Sequence, residues 1–431
     1  MLRRLLTASL VLVAALAPAP ARAQSGPANC SIVSQNSYVR DALHELYLWY
    51  RELPNLDPAR YDSPEAYLEA VRYRPLDTHF SYITGRAASD AFYSDSQFIG
   101  IGLSIYTTTS EMRVSQVFPD SPASEAGLAR GDRIVSIDGR TIAELAAAGL
   151  LGSAFGPSEI GVSVDLVFEH PDGARVGATV VKRLVTIPTV SLTQLYEVDG
   201  RTVAYIFFRN FVRPSRDALD RAFAEVKAAG ASELVLDLRY NGGGLVSVAQ
   251  HLASLIGGAP TSGQVFASYR HNDQNGFRDE DLRFTLPPNA LGLTRLIVIA
   301  TPSTASASEL VVNGLRPFLD VVVVGDRTYG KPVGQYLLPF CDKVLAPVAF
   351  SMRNANDEGD YFDGLPATCH AADDLDRQLG DPAEASLAEA LTYVRTGACS
   401  AAATSLGVRG ARPDAPRPLR ATGWRSLLNA Y

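Results

Sequence analysis

The stretch Leu296-Ile297-Val298-Ile299-Ala300-Thr301-Pro302-Ser303-Thr304-Ala305-Ser306-Ala307-Ser308-Glu309 decides how this chain folds. Its first half is an unbroken apolar run, the pattern of a strand covered on both faces. Its second half opens a helical run, Ser306 to Phe318, with serine at the start, where unpaired N–H groups and the helix dipole favour negative charge. Working outward, the alternation repeats: strand Thr202 to Phe207, helix Ser215 to Ala229, strand Glu233 to Leu238, helix Leu245 to Ile256, strand Arg295 to Ala300, and strand Asp320 to Val324. Strands alternating with helices in this way define an α/β domain.

The rest of the chain differs in texture. Residues 1–23 read as a secretory signal peptide: Arg3-Arg4, an apolar stretch from Leu5 to Ala17, then Ala21-Arg22-Ala23 ahead of Gln24. A membrane anchor is the alternative, but the stretch is short for one and Pro18-Ala19-Pro20 follows at once. Residues 24–94 carry Leu43, Leu46, Trp49 and Tyr50 at helical spacing and form a small N-terminal helical segment. Residues 95–183 break into short β-type runs separated by turns, a compact β-rich module. The α/β domain then runs over 184–399, and the Ala-, Pro- and Arg-rich tail, 400–431, is expected to be largely disordered.

Within the β-rich module, Phe98-Ile99-Gly100-Ile101-Gly102-Leu103 precedes Ser121-Pro122-Ala123-Ser124-Glu125-Ala126-Gly127-Leu128 and Gly131-Asp132-Arg133-Ile134. Together these blocks resemble a PDZ domain. The resemblance implies that Ile99, Gly100, Ile101, Gly102 and Leu103 present backbone N–H groups to a peptide's terminal carboxylate, with the strand beyond pairing to the peptide.

Three groups carry candidate chemistry. Ser306 is a candidate nucleophile. Lys331 follows 25 positions later in Tyr329-Gly330-Lys331-Pro332-Val333-Gly334-Gln335, in a chain with only four lysines among its 39 basic residues. Arginine supplies charge but cannot deprotonate to act as a base. A free lysine, with pKa about 10.4, is neutral only about 0.1% of the time near pH 7.5, so a lysine base must be desolvated. The position of Lys331 beyond the valines Val321 to Val324 fits a buried setting, and Gln335 is placed to orient the amine. The third group is the turn Leu236-Asp237-Leu238-Arg239-Tyr240-Asn241-Gly242-Gly243-Gly244, whose glycines let main-chain N–H groups approach a substrate, as an oxyanion hole requires. It lacks the lysine and Ser/Thr of a phosphate loop.

The order of these parts resembles the C-terminal processing peptidases, also called tail-specific proteases, over roughly Cys30 to Leu391. The resemblance implies a ClpP/crotonase-like α/β catalytic core, a Ser306 nucleophile, a Lys331 general base oriented by Gln335, and an oxyanion hole from the N–H of Gly243 or Gly244 and of Ala307. It implies polypeptide substrates with free C-termini. Three positions depart from the commonest family pattern: Gly242 stands for proline, Ser303 for glycine, and Pro332 for glycine after the lysine. None removes a reacting group; they bear on loop geometry and cleavage preference.

Composition narrows the alternatives. Without the leader the chain holds 36 basic against 46 acidic residues, so its formal charge moves from −7 to −10, which speaks against nucleic acid and anionic membranes as partners. No other segment spans a bilayer. Cys30, Cys341, Cys369 and Cys399 are an even set in an exported chain and predict two disulfides, expected as Cys341 with Cys369 and Cys30 with Cys399 out of three connectivities. Their spacing indicates no metal, and no cofactor is expected. The six histidines sit in no triad context and the serine lacks a Gly-x-Ser-x-Gly elbow. A catalytically silent PDZ scaffold and a small-ligand carrier on the same fold are the competing readings, and neither has use for a Ser–Lys pair. The sequence points to the bacterial periplasm and leaves open a homo-oligomer or a regulatory partner.

Overall fold

The structure is a computed structural model describing residues 26–408. Residues 1–25 and 409–431 lie outside the described residues, and with them the signal-peptide reading. Among the described residues no helix is long and apolar enough to cross a membrane.

A six-stranded sheet organises the chain, in the order Val190–Val198, Arg201–Phe208, Glu233–Asp237, Arg295–Ala300, Asp320–Gly325, Cys369–His370. The first pair is antiparallel and the other four pairings are parallel. Register aligns Ile206 with Leu236, Leu236 with Val298, and Val298 with Val323. Successive side chains point to opposite faces, and both faces are covered. Ala204, Ile206, Leu236, Val298 and Val323 pack under the helices Ser215–Ala228, Val246–Thr261 and Ala307–Leu315. Val203, Tyr205, Val235, Ile297 and Val322 pack under Ala385–Thr396. That two-sided burial is why these strands read as continuous apolar runs.

Alternation of strand and helix does not reveal the second, antiparallel sheet, ordered Asp281–Arg283, Val265–His271, Val348–Arg353, Val333–Gln335. It places Gln335 on a strand beside the first sheet. The helices Ile32–Leu46 and Pro64–Val71, capped by Ser31 and Ser63, pack their apolar faces on Val333, Phe340, Leu345 and Val348. The N-terminal segment therefore shares a core with the strand that carries Gln335.

The β-rich module has its own core, with strands Leu103–Thr107, Met112–Val117, Arg133–Ile137, Ser163–Glu169 and Arg175–Val181 in one sheet. Gln97–Gly100 pairs with Arg183–Thr186, closing the module's entry on its exit. Ile99 and Gly100 thus belong to this ladder. Gly102 has φ +95°, and a Cβ there would lie 2.1 Å from that of Ser121, so only glycine fits the turn.

Two expectations are corrected. The disulfides are Cys30–Cys341 and Cys369–Cys399. The first helix stacks Tyr38 on Phe340, with ring centroids 5.2 Å apart, and this carries Cys30 to the turn after Phe340. Ala385–Thr396 lies across the sheet face and delivers Cys399 to the edge strand holding Cys369. The tail is also not disordered from Ser400: Ala401–Val408 is helical. Ala403 joins the core below the sheet, and the Ser400 N–H donates to Glu389 Oε1 at 2.9 Å.

Candidate active site

Ser306 sits between the strand Arg295–Ala300 and the helix Ala307–Leu315, with φ +57° and ψ −115°. A serine held there is strained, by about 1–3 kcal/mol, and persists only where its surroundings over-determine it. Asn241 supplies much of that restraint. Its carbonyl accepts from the Ala305 N–H at 3.0 Å and from Ser308 Oγ at 2.9 Å, and its Nδ2 donates to Phe208 O at 3.0 Å. Thr304 Oγ1 donates to Leu238 O at 2.8 Å. The turn after Asp237 and the serine elbow are thereby fastened into one unit.

The same contacts distinguish the two candidate oxyanion donors of the glycine turn. The Gly243 N–H donates to Asn241 Oδ1 at 2.9 Å, so it is already engaged. Its α-carbon packs against the elbow, since a Cβ would stand 2.8 Å from both Ala305 O and Ser306 Cβ. Gly244, φ +139°, lines the cleft together with Ser306 and Ala307. Ala307 is the first residue of its helix, so its N–H has no intrahelical partner.

Lys331 is 7% exposed. Burial lowers its amine from the ordinary lysine range to about 8, partly offset by the negative charges of Asp77 and Glu309. Glu309 is the residue that sequence reading passed over. It is wholly buried and accepts from Ser306 N at 2.8 Å, Lys331 N at 2.9 Å, Gly330 N at 2.7 Å and Thr328 Oγ1 at 2.5 Å. One carboxylate so ties the backbone of the serine to the backbone of the lysine, and burial pushes its pKa up despite these four donors. A glutamate three residues into a helix resembles a simple capping residue, which hides this role.

Gln335 follows a register shift in its strand, opposite Val348, and its Nε2 donates to Phe80 O at 2.7 Å. Ser306, Ala307, Lys331, Gln335 and Gly244 all line one cleft of about 290 Å3, whose far walls include Tyr82, Tyr269, Tyr336 and Phe350.

The PDZ-like module docks behind the glycine turn. Arg130 donates to Tyr240 OH at 2.6 Å and to Asp373 Oδ1 at 3.0 Å, while the fully buried Arg239 pairs with Asp237, Asp373 and Glu384. Arg209, also fully buried, reaches Gln116 and Ser104 of the module. In the Ile101–Gly102 loop the carbonyls point inward, accepting from Ala123 N at 2.8 Å and Phe118 N at 2.9 Å.

Residues 202–364 match peptidase family S41, and residues 34–82 match the peptidase S41 N-terminal domain. Over these two segments the chain is similar to the S41 peptidases. Residues 113–153 match a PDZ domain. A carboxyl-terminal-processing protease of Picosynechococcus sp. is 30% identical over 260 residues, 58% of each chain. One of Synechocystis sp. is 28% identical over 244 residues, 57% of this chain and 55% of the relative. The chain spans little more than half the length of these curated relatives. A crystal structure of a putative S41 protease from Bacteroides fragilis superposes with TM-score 0.66 at 26% identity, covering 83% of this chain and 96% of that one.

Proposed function

We propose that this chain is a member of peptidase family S41 and an exported serine endopeptidase that cuts polypeptides near their C-termini through a Ser–Lys acyl-enzyme. The observation that carries the reading is a buried Lys331 amine, lowered to about 8, on the same cleft as the strained Ser306. With that value roughly a quarter of the amine is neutral at pH 7.5, against about 0.1% for an ordinary lysine.

In this mechanism Lys331 Nζ takes the proton of Ser306 Oγ as the oxygen bonds to the scissile carbonyl carbon. The oxyanion is met by the N–H groups of Gly244 and Ala307. Lys331 returns its proton to the leaving amine as the C–N bond breaks, and water repeats the cycle on the ester. Gln335 donates its amide nitrogen to Phe80 O, and its amide oxygen is the group assigned to orient the amine. The Ile101–Gly102 loop presents N–H groups to a substrate's terminal carboxylate, because its carbonyls are taken up inside the module. Two disulfides suit an oxidising, exported setting such as the periplasm.

The test combines fluorophosphonate labelling with hydrolysis of a tail peptide carrying a free or an amidated C-terminus. Wild type should label at Ser306 and prefer the free acid, while Lys331→Arg, which keeps the charge but not the base, should lose at least about 10²-fold in rate. Substantial turnover by Lys331→Arg would refute the mechanism. Equal cleavage of acid and amide would remove the PDZ role alone.

A further inference from the structure

Asp77, in Leu76-Asp77-Thr78-His79-Phe80-Ser81, is buried without any exposed surface, yet it lies in the N-terminal segment, far in sequence from the serine and lysine. Its Oδ1 accepts from the N–H groups of Phe80 at 2.8 Å and Ser81 at 2.9 Å. Its Oδ2 accepts from Tyr47 OH at 2.9 Å, and Arg72 Nη1 stands 3.9 Å from Oδ1. The two residues it fixes are the ones that hold Gln335. Phe80 O receives the Gln335 amide, and Ser81 Oγ receives at 3.0 Å the N–H of Val348, the residue paired with Gln335.

The charges around the buried Lys331 amine come from two directions. Glu309 faces it from the serine helix, its oxygens occupied by four donors, and Asp77 faces it from the N-terminal segment. Arg72 sits beside Asp77 and offsets part of its field, while Tyr47, whose phenol is pushed up by burial and by Asp77, stays a neutral donor.

We propose that Asp77 is a positioning residue for the peptidase reaction, fixing the Phe80–Ser81 backbone that seats Gln335 and supplying the second buried negative charge that faces Lys331. The proposal rests on the reading of Lys331 as general base. It makes the N-terminal segment part of the catalytic machinery, with Arg72 as the counter-charge that trims its effect.

The experiment measures kcat/KM against pH on the full chain, together with the pH dependence of acetic anhydride labelling at Lys331 in a Ser306→Ala background. Asp77→Asn retains an acceptor for Phe80 and Ser81 but deletes the charge. Both midpoints should move to lower pH by about one unit. Arg72→Gln deletes the opposing charge and should move both midpoints upward. A role confined to folding would lower Tm or kcat without shifting either midpoint, and could not produce opposite signs. Unmoved labelling midpoints in both variants overturn the proposal. Should Asp77→Asn fail to fold, the absence of an upward shift in Arg72→Gln overturns it alone. A shift in labelling without one in kcat/KM upholds the charge coupling and refutes Lys331 as base.

Discussion

Glu309→Gln is the most exacting perturbation of this site, because it keeps size and shape and exchanges a single carboxylate oxygen for an NH2 group. Oε2 accepts from two backbone N–H groups, those of Ser306 and Lys331, and neither can reverse. Oε1 accepts from Gly330 N and from Thr328 Oγ1, a hydroxyl that can turn from donor to acceptor. The glutamine amide will therefore place its NH2 at the Oε1 corner, donate to Thr328 and strand the Gly330 N–H. One buried, unsatisfied N–H costs about 1–3 kcal/mol. Against a typical total of about 5–15 kcal/mol this is measurable but does not prevent folding. The stranded group adjoins Lys331, and a displacement of about 1 Å at a reacting group costs about 10²-fold in rate. Urea unfolding should thus show a loss of about 1–3 kcal/mol, and turnover of a tail peptide a loss near 10²-fold. A variant with wild-type stability and turnover would refute the claim that this carboxylate couples the two segments.

Gly243→Ala should cost about 1–3 kcal/mol through its left-handed φ of +101° and displace the serine elbow its Cβ would strike. Fluorophosphonate labelling slowed by less than tenfold would contradict that placement. Lys331→Met should stabilise the protein at pH 7 while abolishing activity. The folded-state pKa, about 8, lies below the unfolded value near 10.5, so the unfolded chain binds more protons between these limits and wild-type stability rises across that window. Below it the native state carries the full penalty, on the order of 3 kcal/mol. Urea unfolding should show Met ahead of Lys at pH 7, with the gap closing toward pH 11; a Met variant no more stable at pH 7 would refute the burial cost.

What the sequence determined by itself was the local and the chemical. The apolar runs at Leu234–Leu236 and Leu296–Ala300 specify strands buried on both faces, because such runs have no other stable placement beside helices. Ser306, Lys331 and Gln335, which line one cleft, could be singled out as candidates because a rare lysine at fixed distances from serine and glutamine is a chemical pattern. What only the tertiary structure decided were the relations between distant segments. Cysteine order leaves three pairings equal, and the packing of Tyr38 on Phe340 and of Ala385–Thr396 on the sheet chooses among them. The Asn241 bond that engages the Gly243 N–H, the four donors on Glu309 and the placement of Asp77 behind Gln335 depend on atoms that meet only after folding. A buried carboxylate is placed by the donors that converge on it. Most of those donors are backbone N–H groups, which leave no trace in the sequence because nearly every residue type carries one.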